Sequence, residues 1–560
     1  MLRFLERNGY DVSYFTNVDA ARYGNLILNH EVFLSVGHDE YWSAEQRDNV
    51  TAARNAGVHL AFFSGNEVYW KTRWENSVDG NNTAYRTLVC YKEGILGENV
   101  CGSKCDPNPT WTGLWRSGCN YPGTGACSPE NELTGQISWV NSTTSLRVPG
   151  AYRNHRFWRN TSVASLAPNG EAVMPNGTLG HEWNFEQYTD SYPNRRVTLS
   201  STTESGKTHK LSLYFHPSGA MVFGAGTIQW AWGLDNWHDV MPATPTESQD
   251  MQQATINLLA DMGVQPATLM PGLTAAVAST DVTPPVSTIT SPANGTTLPA
   301  YPLPVISGTA SDVGGVVGGV EVSVDGGLTW KAATGTTNWT FSWTPTVMGS
   351  ISVKVRAFDD SGNTETPGAG INITVEDPQC PCTIFQPTDV PMVENLTPGG
   401  IEVGVKFRPQ FDGYITGLRF YKMPNDVGTH VATLWTLNGA QIGRVTFQNE
   451  TASGWQQAMF GAPVFVSANT TYVASYHSPT GYYAESNPFF SFGPVVNGPL
   501  TAIAKTHPDG PNGIYLPISV PTFPTMNYDS ENYWVDVVYT TDAGPDVTPP
   551  SVIETDPANG

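Results

Sequence analysis

Positive charge is scarce in this chain. Its 560 residues carry 28 Lys and Arg against 50 Asp and Glu, a formal charge of -22. A protein of that sign repels nucleic acid and anionic lipid, so neither is expected as a partner. No apolar run approaches the roughly 20 residues needed to cross a bilayer, so no membrane span is expected. The Met1 end, MLRFLERNGY, has no long apolar core of the signal-peptide kind. Cysteine is also rare, seven in all. Nor does the most enzyme-like stretch, residues 30 to 69, hold a Cys or Ser on the strand-to-helix turn where α/β hydrolases place a nucleophile. An acyl-enzyme is thereby disfavoured, and chemistry there would run through an activated water, which points to a metal.

That stretch reads as a βαβ unit. Glu31 to Val36 is a short apolar run ending at Gly37, the pattern of a buried strand. Ser43-Ala44-Glu45-Gln46 has the form of a capping box and Gly57 the place of a helix stop, predicting a helix over Ser43 to Ala56. Val58 to Phe63 is the next strand. The connection makes the two strands parallel, with their carboxyl ends on one edge. Gly37-His38-Asp39-Glu40-Tyr41 and Ser64-Gly65-Asn66-Glu67 then face one crevice, where open α/β sheets bind ligands. His38, Asp39, Tyr41, Asn66 and Glu67 are the catalytic candidates. Plainer roles fit the same residues: Tyr41 and Trp42 as packed aromatics, Asp39 and Glu40 as helix-start acids, His38 as a loop histidine, Asn66 as a cap.

The rest of the chain is modular. Leu2, Phe4 and Leu5 belong to a helix closed by Asn8-Gly9, and Tyr10 to Phe15 is predicted as a strand. A doubly wound domain should not begin on a helix, so Met1 is expected to be an internal start or a fragment boundary. Cys90, Cys101, Cys105, Cys119 and Cys127 cluster in or beside the irregular region that runs to about Asn131, and a disulfide framework suits them; C-x3-C with C-x7-C fits zinc poorly. Cys380-Pro-Cys382 suits a clip or a free pair. Several N-x-S/T triplets, Asn81 and Asn141 among them, are compatible with a secreted or cell-surface location. Lys210 to Phe215 with Ala220 to Phe223 reads as a hairpin, and Asp250 to Met262 as a helix that closes the first domain. Period-two alternation then marks an immunoglobulin-like sandwich over residues 281 to 376 and a jelly-roll-like sandwich over 382 to 541. Asp281-Val-Thr-Pro-Pro285 recurs as Asp546-Val-Thr-Pro-Pro550, so residues 546 to 560 are expected to start a further module.

The motifs GHDEYWS (37 to 43), FFSGNEVYW (62 to 70), PENELTG (129 to 135), LGHEWN (179 to 184) and GAGTIQWAWGLD (224 to 235) make residues 1 to about 265 resemble the C-terminal domain of the N,N-dimethylformamidase large subunit. The resemblance implies a glutamine-amidotransferase-like α/β fold with a flavodoxin-type parallel sheet. It also implies a mononuclear iron, held by two tyrosines and a glutamate, that hydrolyses a small amide. Tyr41 then stands as one phenolate ligand and Glu130 as the carboxylate, with Glu182 second. The other tyrosine falls before residue 1 and has no counterpart here. Glu67 or His38 would shuttle protons. The expected protein is multidomain, one α/β domain followed by two all-β sandwiches. Its expected partner is a small amide or glycoconjugate substrate, or, if the α/β domain has lost its metal, a cell-surface glycan.

Overall fold

The computed structural model describes residues 1–92, 106–116, 128–187, 191–238, 246–300, 303–345, 347–376, 380–487, 489–490, 493–505 and 507–543. Cys101, Cys105, Cys119, Cys127 and the repeat at 546 to 560 lie outside them. The chain forms two compact units, Met1–Asn294 with Val305–Ser342 and Ile351–Asn372, and Gly295–Pro304 with Trp343–Ser350 and Ile373–Gly560.

The first unit opens with α1 (Leu2–Arg7) and α2 (Asn17–Arg22), then β1 (Val32–His38), β2 (Tyr41–Ser43), α3 (Ala44–Asn55), β3 (His59–Gly65) and β4 (Trp70–Glu75). After α4 (Asn131–Thr134) come β5 (Arg196–Thr198), β6 (Ser212–Phe215), β7 (Met221–Gly224) and α5 (Gln249–Asp261). Tyr10 to Phe15 is not a strand. Tyr14 and Phe15 are exposed, 68% and 37%, and without a neighbouring strand their alternation has no sheet face to bury. Ser43 caps α3 as expected, its Oγ accepting from the Gln46 amide at 3.2 Å.

A five-stranded sheet, β1-β3-β7-β6-β5, organises the domain. β1 and β7 both pair with β3 in parallel, while β6 pairs antiparallel with β7 and with β5. The sheet is therefore mixed, not parallel throughout, because the tight His216–Gly219 turn returns the chain beside the strand it leaves. Alternate residues of β3 serve two cores: Ala61 and Phe63 pack with Phe157, Phe223, Trp230 and Met251, whereas Leu60 and Phe62 pack with Trp42, Val50 and Val222. Cover on both faces is why this strand reads as one apolar run.

Also within the first unit, β8 (Val286–Ser291), β9 (Val305–Ser311) and β11 (Asn338–Ser342) form one antiparallel ladder, while β10 (Val317–Ser323) pairs with β12 (Gly349–Asp359). Trp339, Phe341, Val320 and Val322 point inward and are buried, as the alternation predicts.

In the second unit β13 (Ile401–Pro409), β15 (Val431–Thr436) and β17 (Tyr472–Ser478) share one sheet, and β14 (Gly413–Lys422), β16 (Gly454–Val466) and β18 (Val535–Thr540) another. Tyr472, Tyr476 and Tyr483 belong to the core between them, so these rings serve packing. The sulfurs of Cys380 and Cys382 are bonded at 2.10 Å. Fully buried in this unit, His430 places Nε2 2.9 Å from Asp426 Oδ1 and Nδ1 2.7 Å from Glu450 Oε2, which also meets Lys422. Burial alone would lower its pKa, but hydrogen bonds and charge from Asp426 and Glu450 prevail and raise it. A histidine whose folded pKa is raised contributes stability below its unfolded value near 6.5, and that contribution is lost as pH rises through the folded value. Thermal unfolding followed from about pH 6 to about pH 9 is expected to show a falling midpoint for this unit. His430→Gln should be less stable at pH 6 and show a smaller fall.

Candidate functional site

Parallel register places the functional loops together. His38 lies opposite Gly65 at the carboxyl ends of β1 and β3. A Cβ on Gly65 would sit 2.6 Å from the Glu182 carbonyl oxygen and 2.9 Å from the Ile228 nitrogen. Only glycine lets the Glu182 segment come this close, and that approach delivers Glu182 to the rim. His38 Nδ1 then lies 3.5 Å from Glu40 Oε1 and 3.7 Å from Glu182 Oε2. These three groups offer one nitrogen and two oxygen donors within 4.8 Å of one another, a donor set suited to a hard or borderline metal ion. Burial, then repulsion from Glu182, raises the Glu40 carboxyl above its usual range.

Asn66 fixes the other loop. Its backbone takes φ 51°, its amide donates to Asn184 Oδ1 at 3.1 Å, and its Nδ2 donates to Glu182 Oε2 at 3.1 Å. The Asn66 Oδ1 is buried with no partner, so an acceptor is left over beside the donor cluster. Asp39 acts as a tether: it accepts from Ser35 Oγ at 2.8 Å and from Asn17 Nδ2 at 3.0 Å. Desolvation nevertheless raises its pKa.

Behind the rim lies a second acidic layer. Glu67 is fully buried, and neither of its carboxylate oxygens has a hydrogen bond of good geometry, although the Thr134 hydroxyl lies beside it. Burial first, then the negative charges of Glu130 and Asp39, push it up to about 8. Glu130, 2% exposed, meets Arg116 through Oε1, which also accepts from the Ser138 amide at 3.3 Å, while its Oε2 is buried and unpartnered. Arg116 also lies 5.3 Å over the Tyr69 ring.

Among the groups named from the sequence, Glu67 and Glu130 feel one another's charge, whereas the Tyr41 phenol turns to Lys92, whose ammonium also sits 4.7 Å over the Tyr41 ring and 5.2 Å over Trp70. Each ligand implied by the resemblance is thus engaged by a cation. Sequence reasoning had placed Glu182 second and had missed Lys92, Arg116 and Asn184. The HEWN motif, two polar residues flanking a buried Trp183, is the signal that could have found Asn184; nothing local marks Lys92 or Arg116.

A further group of donors, Asp281, Asp312 and Asp359, has oxygens within 4.8 Å of one another. Burial first, then mutual repulsion, raises the carboxyls of Asp312 and Asp359.

Residues 1–243 match the family model of the N,N-dimethylformamidase beta subunit-like C-terminal domain, residues 285–357 that of a bacterial Ig domain, and residues 388–535 that of a domain of unknown function (DUF4082). No curated protein matches the chain. Among solved structures, the fibronectin(III)-like modules of Clostridium thermocellum CbhA are 25% identical over 17% of this chain and 100% of theirs, with a TM-score of 0.14. The Streptomyces avermitilis alpha-L-rhamnosidase is 11% identical over 47% of this chain and 26% of its own, also with a TM-score of 0.14. At such scores these two likenesses carry no argument.

Because a buried acid with a raised pKa binds its proton more tightly folded than unfolded, Glu67 makes stability fall as pH rises from its ordinary value of 4.5 to about 8. Glu67→Gln, which keeps the shape of the neutral acid, is expected to leave stability near its wild-type value at low pH and make the decline shallower across that window, read as the thermal midpoint of the first unit.

Proposed function

We propose that the first domain hydrolyses a carbon–nitrogen bond of an amide with the help of a bound metal, iron first among those to test, and that the β modules space or anchor it on a secreted or surface protein. On this reading the domain is glutamine-amidotransferase-like and the last sandwich is of jelly-roll type. One observation carries the proposal: His38, Glu40 and Glu182 converge at the strand-end rim, in a domain that matches the N,N-dimethylformamidase-related family. The mixed nitrogen and oxygen donor set and the unpartnered buried Oε2 of Glu130 fit a cation. His38, Glu40 and Glu182 would hold it, with Tyr41 and Glu130 as the alternative pair. When bound, such an ion polarises a carbonyl and lowers the pKa of a coordinated water.

The chain's own groups have separable tasks. Asn66 Nδ2 orients Glu182. Glu67, held up to about 8, keeps a proton on its carboxyl at neutral pH and is suited to pass one to a leaving amine. His38, with 48% of its side chain exposed, can exchange protons with solvent. The substrate class is a small amide or an N-acylated glycoconjugate.

A specific observation favours a second reading. Lys92 on Tyr41 and Arg116 on Glu130 supply the positive charge that a metal would otherwise bring, as in a non-catalytic surface or adhesive array directed at cell-surface glycans. Metal analysis of the full chain separates the two. The enzyme reading expects about one iron or comparable ion per chain, lost in Glu182→Gln, with amine release from simple amides lowered at least about 100-fold, the order of loss seen when a metal site is disrupted. Loss of metal in Glu130→Gln but not in Glu182→Gln would move the site to the alternative pair. A chain that binds no metal leaves the non-catalytic reading standing.

A further inference from the structure

At the opposite edge of the same sheet lies a cavity of about 550 Å3, within the size range of small-molecule sites. It opens where the β6–β7 turn meets residues of the immunoglobulin-like module inside the first unit. Its walls carry two guanidiniums, Arg195 and Arg356, in a chain poor in cations. Arg356 is spoken for: its Nη2 lies 2.6 Å and its Nε 2.8 Å from Glu321 Oε2, and it stacks 4.3 Å over Trp330.

Arg195 is not. Its backbone, at φ 57°, donates its amide to Glu321 Oε1 at 2.6 Å, while its side-chain Nη2 is buried with no hydrogen-bond partner. Two guanidiniums against one carboxylate leave one positive charge uncompensated. His216 adds no charge, because burial, then Arg54 and Arg195, lower its pKa to about 4. Its Nδ1 is engaged by Ser218, 3.2 Å from the amide and 2.9 Å from the hydroxyl, which leaves Nε2 to meet a ligand hydroxyl.

The remaining walls set the body of the ligand. Trp330, Phe215, Pro193 and Pro217 offer flat apolar surface, and Asn194 and Thr364 offer polar groups. We propose that this cavity binds an acidic sugar, a hexuronic acid whose carboxylate pairs with the Arg195 guanidinium and whose ring packs on the apolar walls. A single carboxylate matches the single spare charge. Hydroxyls match Asn194, Thr364 and His216, which a purely apolar acid would leave unpaired. The site is independent of the metal rim and does not rest on the hydrolase reading.

Calorimetric titration of the full chain with D-galacturonic acid, D-galactose and benzoate tests it. Galacturonate is expected to bind at least about tenfold more tightly than either competitor, as loss of a charge-assisted bidentate pair or of several hydroxyl bonds implies, and its affinity should fall as salt is added. Arg195→Gln should weaken galacturonate about tenfold while leaving galactose unchanged, with thermal unfolding confirming that the variant folds. Should it fail to fold, the salt dependence and the galacturonate-to-galactose ratio of the wild-type chain decide alone. Galactose or benzoate binding as tightly as galacturonate, salt-insensitive binding, or no galacturonate binding at millimolar concentration overturns the proposal.

Discussion

The parallel pairing of β1 with β3 is the constraint on which the rest depends. It places His38 opposite Gly65, so two loops separated by a helix leave the sheet on the same side. An antiparallel pair would have sent them to opposite edges, with the acids of one loop a strand length from the amide of the other. Packing on both faces protects this register, since a one-residue slip of β3 would exchange Leu60 and Phe62 for Ala61 and Phe63 between two differently shaped cores. Gly65 adds a second requirement. The Glu182 backbone presses on it closely enough that any side chain there would displace the carboxylate.

Charge is then distributed in two layers. The outer one, His38 with Glu40 and Glu182, keeps contact with solvent and sets an imidazole between two carboxylates, with the His181 ring 5.1 Å from His38. The inner one, Glu67 with Glu130, is buried and is eased by Arg116 and by protonation. The cations that meet Tyr41 and Glu130, Lys92 and Arg116, come from segments outside the five-stranded sheet. The strand ends therefore lead into Glu40 and Glu67, later segments bring Glu130 and Glu182, and cations from elsewhere decide how far these acids are neutralised.

This division also explains how much of the site was legible in the sequence. Helix α3 with its Ser43 cap, the β6–β7 hairpin and α5 were readable because local spacing carries each of them. His38, Asn66 and Glu67 followed from the βαβ unit alone. Glu182, Arg116 and Lys92 did not, because their partners stand 116, 14 and 51 positions away and no periodicity links those positions. Tyr10 to Phe15 failed for the converse reason: its alternation is real, but a strand needs a partner, and strand partners are tertiary. Tyr41 shows the same limit at the scale of one side chain. Its place beside the helix cap was predictable from spacing, yet the direction of its phenol depends on a lysine from a distant loop.

Strand direction also separates the acidic rim from the cationic cavity. The rim forms where β3 ends, at Gly65, and the cavity where the β6–β7 turn precedes Met221, whose amide meets His59 at the start of β3. Seven residues of β3 lie between them, roughly 20 Å at strand rise. With a Debye length of about 8 Å at physiological ionic strength, charges at the two ends are largely screened from each other through solvent. A cationic pocket can therefore persist in a chain of net charge -22 without drawing the rim carboxylates toward it. Occupancy of one end should leave the protonation of the other unchanged, so coupling between the two would have to travel through β3 and its packed faces rather than through the field.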